Sequence, residues 1–427
     1  MTFSHFLKPL IFAIAIFMVC IPAISAPSKD DSVSWTEAPS LKEAYVGKLE
    51  HLGMSVQYIA WKTGKHELAS EAIQKGLGRH FTCITMGNEF KPDSILGTYT
   101  VGEPKAFESF TDSYGIEIDV PKNHLQFDVV DKCLQACKDN NLIMRGHVLV
   151  WHSQTPQWFF KEGFNSSADL VNKETMRARQ EWYIKSVMEH IAEWEAKHNE
   201  GKRIIYCWDV VNEAVGDNAN LRDVDSNWHK AYAPKKYEDG YEYIIDAFRY
   251  ANKYAPNDVL LAYNDYNETV DGKRAEIIEV LNQVMAHEDD DVLPTRIDVM
   301  GMQSHIKYED PLLETYEESI KMYLETGLDV HITELDIGAK TKKDANDDEK
   351  LKQTYKECYE MFLRYPKTET KNGISSVTIW GLTDDETWLN DDSQQPYLNN
   401  VKPQRPLLFD SKHRSKPAFY GVLEAAQ

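Results

Sequence analysis

The sequence predicts an α/β protein folded as a single (β/α)8 barrel of the TIM type. Three observations predict it. Eight apolar, β-branched runs are spaced along the chain, at residues 55–61, 81–86, 142–151, 204–211, 259–263, 297–302, 329–333 and 374–380. Amphipathic stretches with helical spacing lie between them, at 128–140, 179–198, 241–254, 274–287, 311–326 and 348–365. The runs lack the strict alternation of half-solvated strands, so they read as strands buried on both faces of a parallel sheet covered by helices. Strand-then-helix order favours a closed barrel over an open doubly wound sheet, which would want a glycine-rich phosphate turn after an early strand. Neither Trp61-Lys62-Thr63-Gly64 nor Met86-Gly87-Asn88-Glu89 is such a turn.

Residues 1–26 stand apart from this pattern. His5 and Lys8 precede an apolar stretch from Leu10 to Ile24, and Ser25-Ala26-Pro27 offers small residues for cleavage. This reads as a secretory signal peptide, leaving 27–427 as the barrel domain and the product secreted or periplasmic. Cys20 as a lipoprotein acceptor is the alternative for anchoring at a surface. The apolar stretch is short for a transmembrane span, and no later segment has that length without charges.

Cys83, Cys133, Cys137, Cys207 and Cys358 remain after cleavage. Their number is odd and their spacing suits neither a disulfide framework nor zinc, so they read as small buried hydrophobes, with one disulfide still open. Residues 384–406 are rich in Asp, Asn, Gln and Pro and read as a long functional loop. Lys and Arg number 47 against 68 Asp and Glu, a net charge of −21. That balance disfavours nucleic acid and anionic membrane surfaces as partners.

In such barrels chemistry gathers where the strands end. The third run ends Gly146-His147-Val148-Leu149-Val150-Trp151-His152, the fourth Trp208-Asp209-Val210-Val211-Asn212-Glu213, and the fifth Tyr263-Asn264-Asp265-Tyr266. The sixth ends Met302-Gln303-Ser304-His305, the seventh Thr333-Glu334-Leu335-Asp336, and the eighth Trp380-Gly381-Leu382-Thr383-Asp384. Amides and carboxylates suit sugar hydroxyls, and indoles suit pyranose faces. Glu213 and Glu334 form the pair that a retaining glycosidase needs. Asn212 can hold a sugar 2-hydroxyl, and His305, with Asp336 behind it, can keep Glu334 ionised. His147 and Trp151 share a strand face, while His152 points away. The first run, Val56-Gln57-Tyr58-Ile59-Ala60-Trp61, lacks the His-x-His pair of metallohydrolase barrels. Neither metal nor cofactor is expected.

Together these stretches resemble family 10 glycoside hydrolases, the endo-1,4-β-xylanases, over residues 42–422. The resemblance implies Glu213 as acid/base and Glu334 as nucleophile of a retaining double displacement on xylan and xylo-oligosaccharides. It places Asn88 and Lys91 on the glycone side, and His147, Trp151, Asn212, Gln303 and His305 around the sugar at the cleavage point. Trp380 and Trp388 would wall that position, and Tyr266 would face the aglycone. Family members read Glu-Asn-x-Met-Lys-Trp after the second strand. Here Gly87 and Pro92 replace the Glu and Trp, so the resemblance does not carry over glycone affinity or the discrimination between xylose and glucose units. A monomer is expected. Another β-glycan as main substrate, or non-catalytic glycan binding, are the alternatives.

Overall fold

Eight parallel strands close into a ring in the computed structural model, which describes residues 33–233 and 240–427. They are β1 (His51–Val56), β2 (Cys83–Met86), β3 (Ile143–Trp151), β4 (Ile205–Asn212), β5 (Leu260–Asp265), β6 (Val299–Met302), β7 (Asp329–Gly338) and β8 (Ile374–Ile379). Each pairs with its neighbours in chain order, and β8 pairs with both β7 and β1, with His51 opposite Ser376. The signal-peptide segment and Cys20 lie outside the described residues.

A long helix follows the strands in turn: Glu71–His80, Asp128–Asp139, Lys173–His198, Glu242–Tyr254, Asp271–Met285, Leu313–Glu325, Asp348–Phe362 and Pro417–Ala425. Local chemistry sets their ends. The Asn172 side chain accepts from Thr175 N, and Asp347 accepts from Lys350 N, capping backbone donors that the first turn leaves unpaired. The stripe Val130, Cys133, Leu134 and Cys137 turns one face of Asp128–Asp139 into the core. The five cysteines among the described residues are all free and buried.

The first strand lies earlier than its apolar run predicts. Gly53 argues against a strand at 51–56, yet a Cβ there would lie 2.4 Å from Thr378 Oγ1 and 2.8 Å from Cys83 Sγ. Only glycine lets β1, β2 and β8 pack this closely. Residues 57–61 instead form the loop that leaves β1. The Glu71–His80 helix is unpredicted for a similar reason: Gly76 weakens its pattern but faces the Trp35 ring, 2.2 Å from where a Cβ would stand. The 384–406 loop contains two short 3-10 turns, Trp388–Asn390 and Asp392–Leu398.

Apolar side chains fill the layer between ring and helices, but the ring's interior is polar. Arg145 and Asp209 are each 1% exposed, and the guanidinium Nε lies 3.1 Å from both carboxylate oxygens. Arg145 Nη1 also lies 2.7 Å from His331 Nδ1. Arg145 holds Asp209 below the ordinary carboxylate range, although burial opposes this. Removing one partner of such a buried pair costs about 3–5 kcal/mol, because the other charge is left stranded.

Candidate active site

Both glutamates stand at the C-terminal end of the barrel, Glu334 within β7 and Glu213 immediately after β4. A chain of amides joins them. Gln303 Nε2 donates to Glu213 Oε1 at 2.8 Å and to Asn212 Oδ1 at 3.2 Å. Asn264 Nδ2 donates to the same Asn212 oxygen and to Glu334 Oε1, both at 2.9 Å. Thr333 Oγ1 donates to Asn264 Oδ1 at 2.7 Å, which fixes the orientation of that amide. β4, β5, β6 and β7 thus each contribute to one network, and Asn212 keeps its Nδ2 free of protein partners among the described residues.

Glu334 is 4% exposed. Its second oxygen lies 3.1 Å from His305 Nε2, and His305 Nδ1 lies 3.1 Å from Asp336 Oδ1. Burial works against a charge on His305, but Asp336 and Glu334 outweigh it and lift the imidazole to about 10. Burial would likewise raise Glu334, yet the hydrogen bond from His305 and the electrostatic effect of His147 hold it below the usual carboxylate value. At neutral pH the result is an imidazolium between two carboxylates, one of them facing the site.

Glu213 is held differently. Trp151 Nε1 donates to its Oε2 at 3.0 Å, its backbone N–H donates to Asn264 O at 2.8 Å, and its carbonyl accepts from Arg222 Nε at 2.9 Å. The same guanidinium donates through Nη2 to Tyr266 Oη at 2.8 Å. Beneath the Tyr266 ring, 3.3 Å from its centroid, sits Lys273 Nζ, itself 3.0 Å from Asp265 Oδ1.

Aromatic rings and a lysine complete the cleft. Trp388 Nε1 donates to Asp336 Oδ2 at 2.7 Å, and its ring centroid lies 4.7 Å from that of His305. Trp380 meets the His147 ring edge-on at 5.5 Å, and His147 Nδ1 lies 3.0 Å from Asp209 Oδ2. Lys91 Nζ donates to Asn88 Oδ1 at 3.3 Å and Gln154 Oε1 at 2.9 Å, and lies 5.0 Å from the Trp151 ring centroid. Burial pushes the Lys91 ammonium down to about 8, against the opposing pull of Glu334 and Glu213.

Every residue singled out from the sequence therefore lies in this one region. Asn264, Gln154, Arg222 and the Arg145–Asp209 pair belong to it as well and were not singled out. Asn264 pairs in register with Asn212 near the end of its strand, a signal that could have found it. Arg222 lies in a loop with no such signal. No cluster of three or more His, Cys, Asp or Glu suited to a metal ion occurs among the described residues.

Comparison with known proteins gives a consistent picture. The model of glycosyl hydrolase family 10 matches residues 40–425. Endo-1,4-beta-xylanase A of Butyrivibrio fibrisolvens is 32% identical over 397 residues, covering 90% of this chain and 84% of its own length. The crystal structure of an endo-1,4-beta-xylanase from Caldicellulosiruptor owensensis superposes with a TM-score of 0.67 at 30% identity, over 90% of this chain and 99% of that one. The CBM22-1–GH10 modules of endo-1,4-beta-D-xylanase 10B from Clostridium thermocellum, complexed with xylohexaose, give a TM-score of 0.69 at 29% identity, covering 91% of this chain and 68% of that one.

Proposed function

The chain belongs to glycosyl hydrolase family 10, and from that premise we propose that it cleaves internal β-1,4-xylosidic bonds of xylan by double displacement with retention. The observation that carries this reading is the pair of glutamates tied together through Gln303, Asn212 and Asn264, only one of which, Glu334, also has an imidazolium beside it.

In the first step a Glu334 oxygen attacks the anomeric carbon while Glu213 gives its proton to the departing glycosidic oxygen. In the second, Glu213 takes a proton from water, whose oxygen attacks the same carbon and releases Glu334. Asn264 and His305 occupy one lone pair on each Glu334 oxygen, which orients the nucleophile and leaves its remaining lone pairs to the sugar. Asn212 Nδ2 is left for the sugar 2-hydroxyl, a contact that strengthens as positive charge develops at the ring. Trp380, Trp388 and His147 wall the reacting sugar, Asn88 and Lys91 hold its glycone neighbour, and Tyr266 faces the leaving chain.

Proton NMR of the first product released from a β-linked xylo-oligosaccharide tests the stereochemistry. The β-anomer is expected first; the α-anomer first would overturn the retaining reading. We also propose that the chain is exported and cut after Ala26, on the strength of its charged start, apolar run and small residues. N-terminal sequencing of the mature protein checks this, and an intact Met1 would refute it.

A further inference from the structure

Trp61 is a part of the cleft rim to which the reaction assigns no task. Its residue is 77% exposed, more than any other tryptophan among the described residues. An indole held in water is an unfavourable use of a large apolar face unless something covers it. Its loop is also fastened more firmly than a connection requires. The Trp61 backbone N–H donates to Gln57 Oε1 at 3.1 Å, and Asn88 Nδ2 donates to the same oxygen, also at 3.1 Å. On its other side, Lys62 Nζ pairs with Asp391 at 2.7 Å and Thr63 Oγ1 donates to Glu386, both in the segment that carries Trp388. The loop that carries the indole is thus tied by its backbone, through Gln57, to Asn88, and through Lys62 and Thr63 to the segment that carries Trp388.

Gly87 explains how Gln57 comes to lie there. A Cβ at position 87 would meet Gln57 Cγ at 3.2 Å, so the bare backbone leaves the room that the glutamine occupies. With its oxygen committed to Asn88 and Trp61, Gln57 has an Nε2 without a protein partner among the described residues. An exposed indole on the loop that Gln57 fastens, together with that residue's unused amide donor, supplies both kinds of contact that bind a sugar: an aromatic face for the ring's C–H groups and an amide for its hydroxyls.

We propose that Trp61 and Gln57 form a further sugar-binding position of the cleft, beyond Asn88 and Lys91, which takes a pyranose unit of the β-1,4-linked chain by stacking and by a hydrogen bond from Gln57 Nε2. This rests on the xylanase reading above. It makes the enzyme favour substrates long enough to reach Trp61, and it gives this end of the cleft a glutamine where the family pattern has an acidic residue at position 87.

The test compares wild type, Trp61→Ala and Trp61→Phe on xylohexaose and on dinitrophenyl xylobioside, whose two sugars fill only the cleavage point and the Asn88–Lys91 position. Trp61→Ala should lower the ratio of kcat/KM on xylohexaose to that on the xylobioside by about tenfold, the loss expected when a sugar-sized apolar contact returns to water. Trp61→Phe should restore most of it. Calorimetric titration of xylohexaose into Glu334→Ala and Glu334→Ala/Trp61→Ala should show the same factor in Kd. An unchanged ratio with an unchanged Kd overturns the site, as does an equal fall on both substrates. A wild-type protein that cleaves the xylobioside but never gains from added sugars also overturns the site while leaving the xylanase reading intact. A wild type inert on both substrates sinks the xylanase reading, and the site with it.

Discussion

The ends of β4 and β7 each present a glutamate with both carboxylate oxygens hydrogen-bonded, but by different donors: a neutral amide and indole for Glu213, an amide and a charged imidazole for Glu334. Glu334 sits within an extended strand, and its carboxylate is held on both oxygens, by Asn264 and His305. Glu213 stands just past its strand at φ +56°, a left-handed conformation that costs a non-glycine residue about 1–3 kcal/mol. Its backbone is pinned on both sides, at the N–H by Asn264 O and at the carbonyl by Arg222. Its side chain is also less buried than that of Glu334. The difference fits the roles proposed for the two groups. A nucleophile works best with its charge fixed and its oxygens aimed. An acid/base must give up and regain a proton in every turnover, which suits neutral donors around its carboxyl and a more exposed side chain.

Three substitutions break or sharpen this contrast. Glu334→Ala removes the proposed nucleophile, so turnover should fall by about 10⁴- to 10⁶-fold whatever the leaving group. Steady-state rates on xylan and on dinitrophenyl xylobioside check it, and near-normal turnover of the activated substrate would reverse the two roles. Glu213→Ala should cost about 10²- to 10⁴-fold on xylan, where the departing oxygen needs a proton. On the dinitrophenyl substrate it should instead give a rapid burst followed by slow deglycosylation, because dinitrophenolate leaves unaided. Stopped-flow traces with equal losses on both substrates and no burst would void that assignment.

His305→Gln is the gentlest of the three. On the proposed mechanism Glu334 must be ionised to attack, and its carboxyl lies below the usual range, so the acid limb of kcat/KM should fall at correspondingly low pH. Without the imidazolium, the effect of burial is less opposed and the Glu334 carboxyl rises. The acid limb should therefore move to higher pH, while activity well above it is less affected. A pH profile with an unmoved acid limb would show that His305 does not keep the nucleophile charged. For folding the sign runs the other way. His305 is raised to about 10, above the value of a free imidazole, so its stabilising contribution is full below about pH 6.5 and is lost as the pH climbs through about 10.

Much of this arrangement was legible because barrel strands announce themselves twice, by an apolar run and by the polar residues that end it. Glu213, Glu334, Asn212 and Gln303 are all read from strand ends. What escaped the sequence depends on contacts between residues far apart in the chain. Gly53 looks like a break in a strand until Thr378 and Cys83 are seen pressed against it. Gly76 weakens a helix pattern because it makes room for Trp35. Arg222 reaches the Glu213 carbonyl from a loop without periodicity. Gln57 becomes interesting only once Gly87 is found beside it.

The amide chain between the glutamates has a consequence for how the molecule comes to life. Its members come from four successive staves, β4 to β7, and His147 and Trp151 enter from a fifth, β3. Glu213 belongs to the first half of the ring and Glu334 to the second, so neither half contains a reactive pair. The site exists only once both halves have met, and activity is therefore a direct optical or chromogenic reporter of ring closure. A chain stalled with one half assembled is silent, however native that half is.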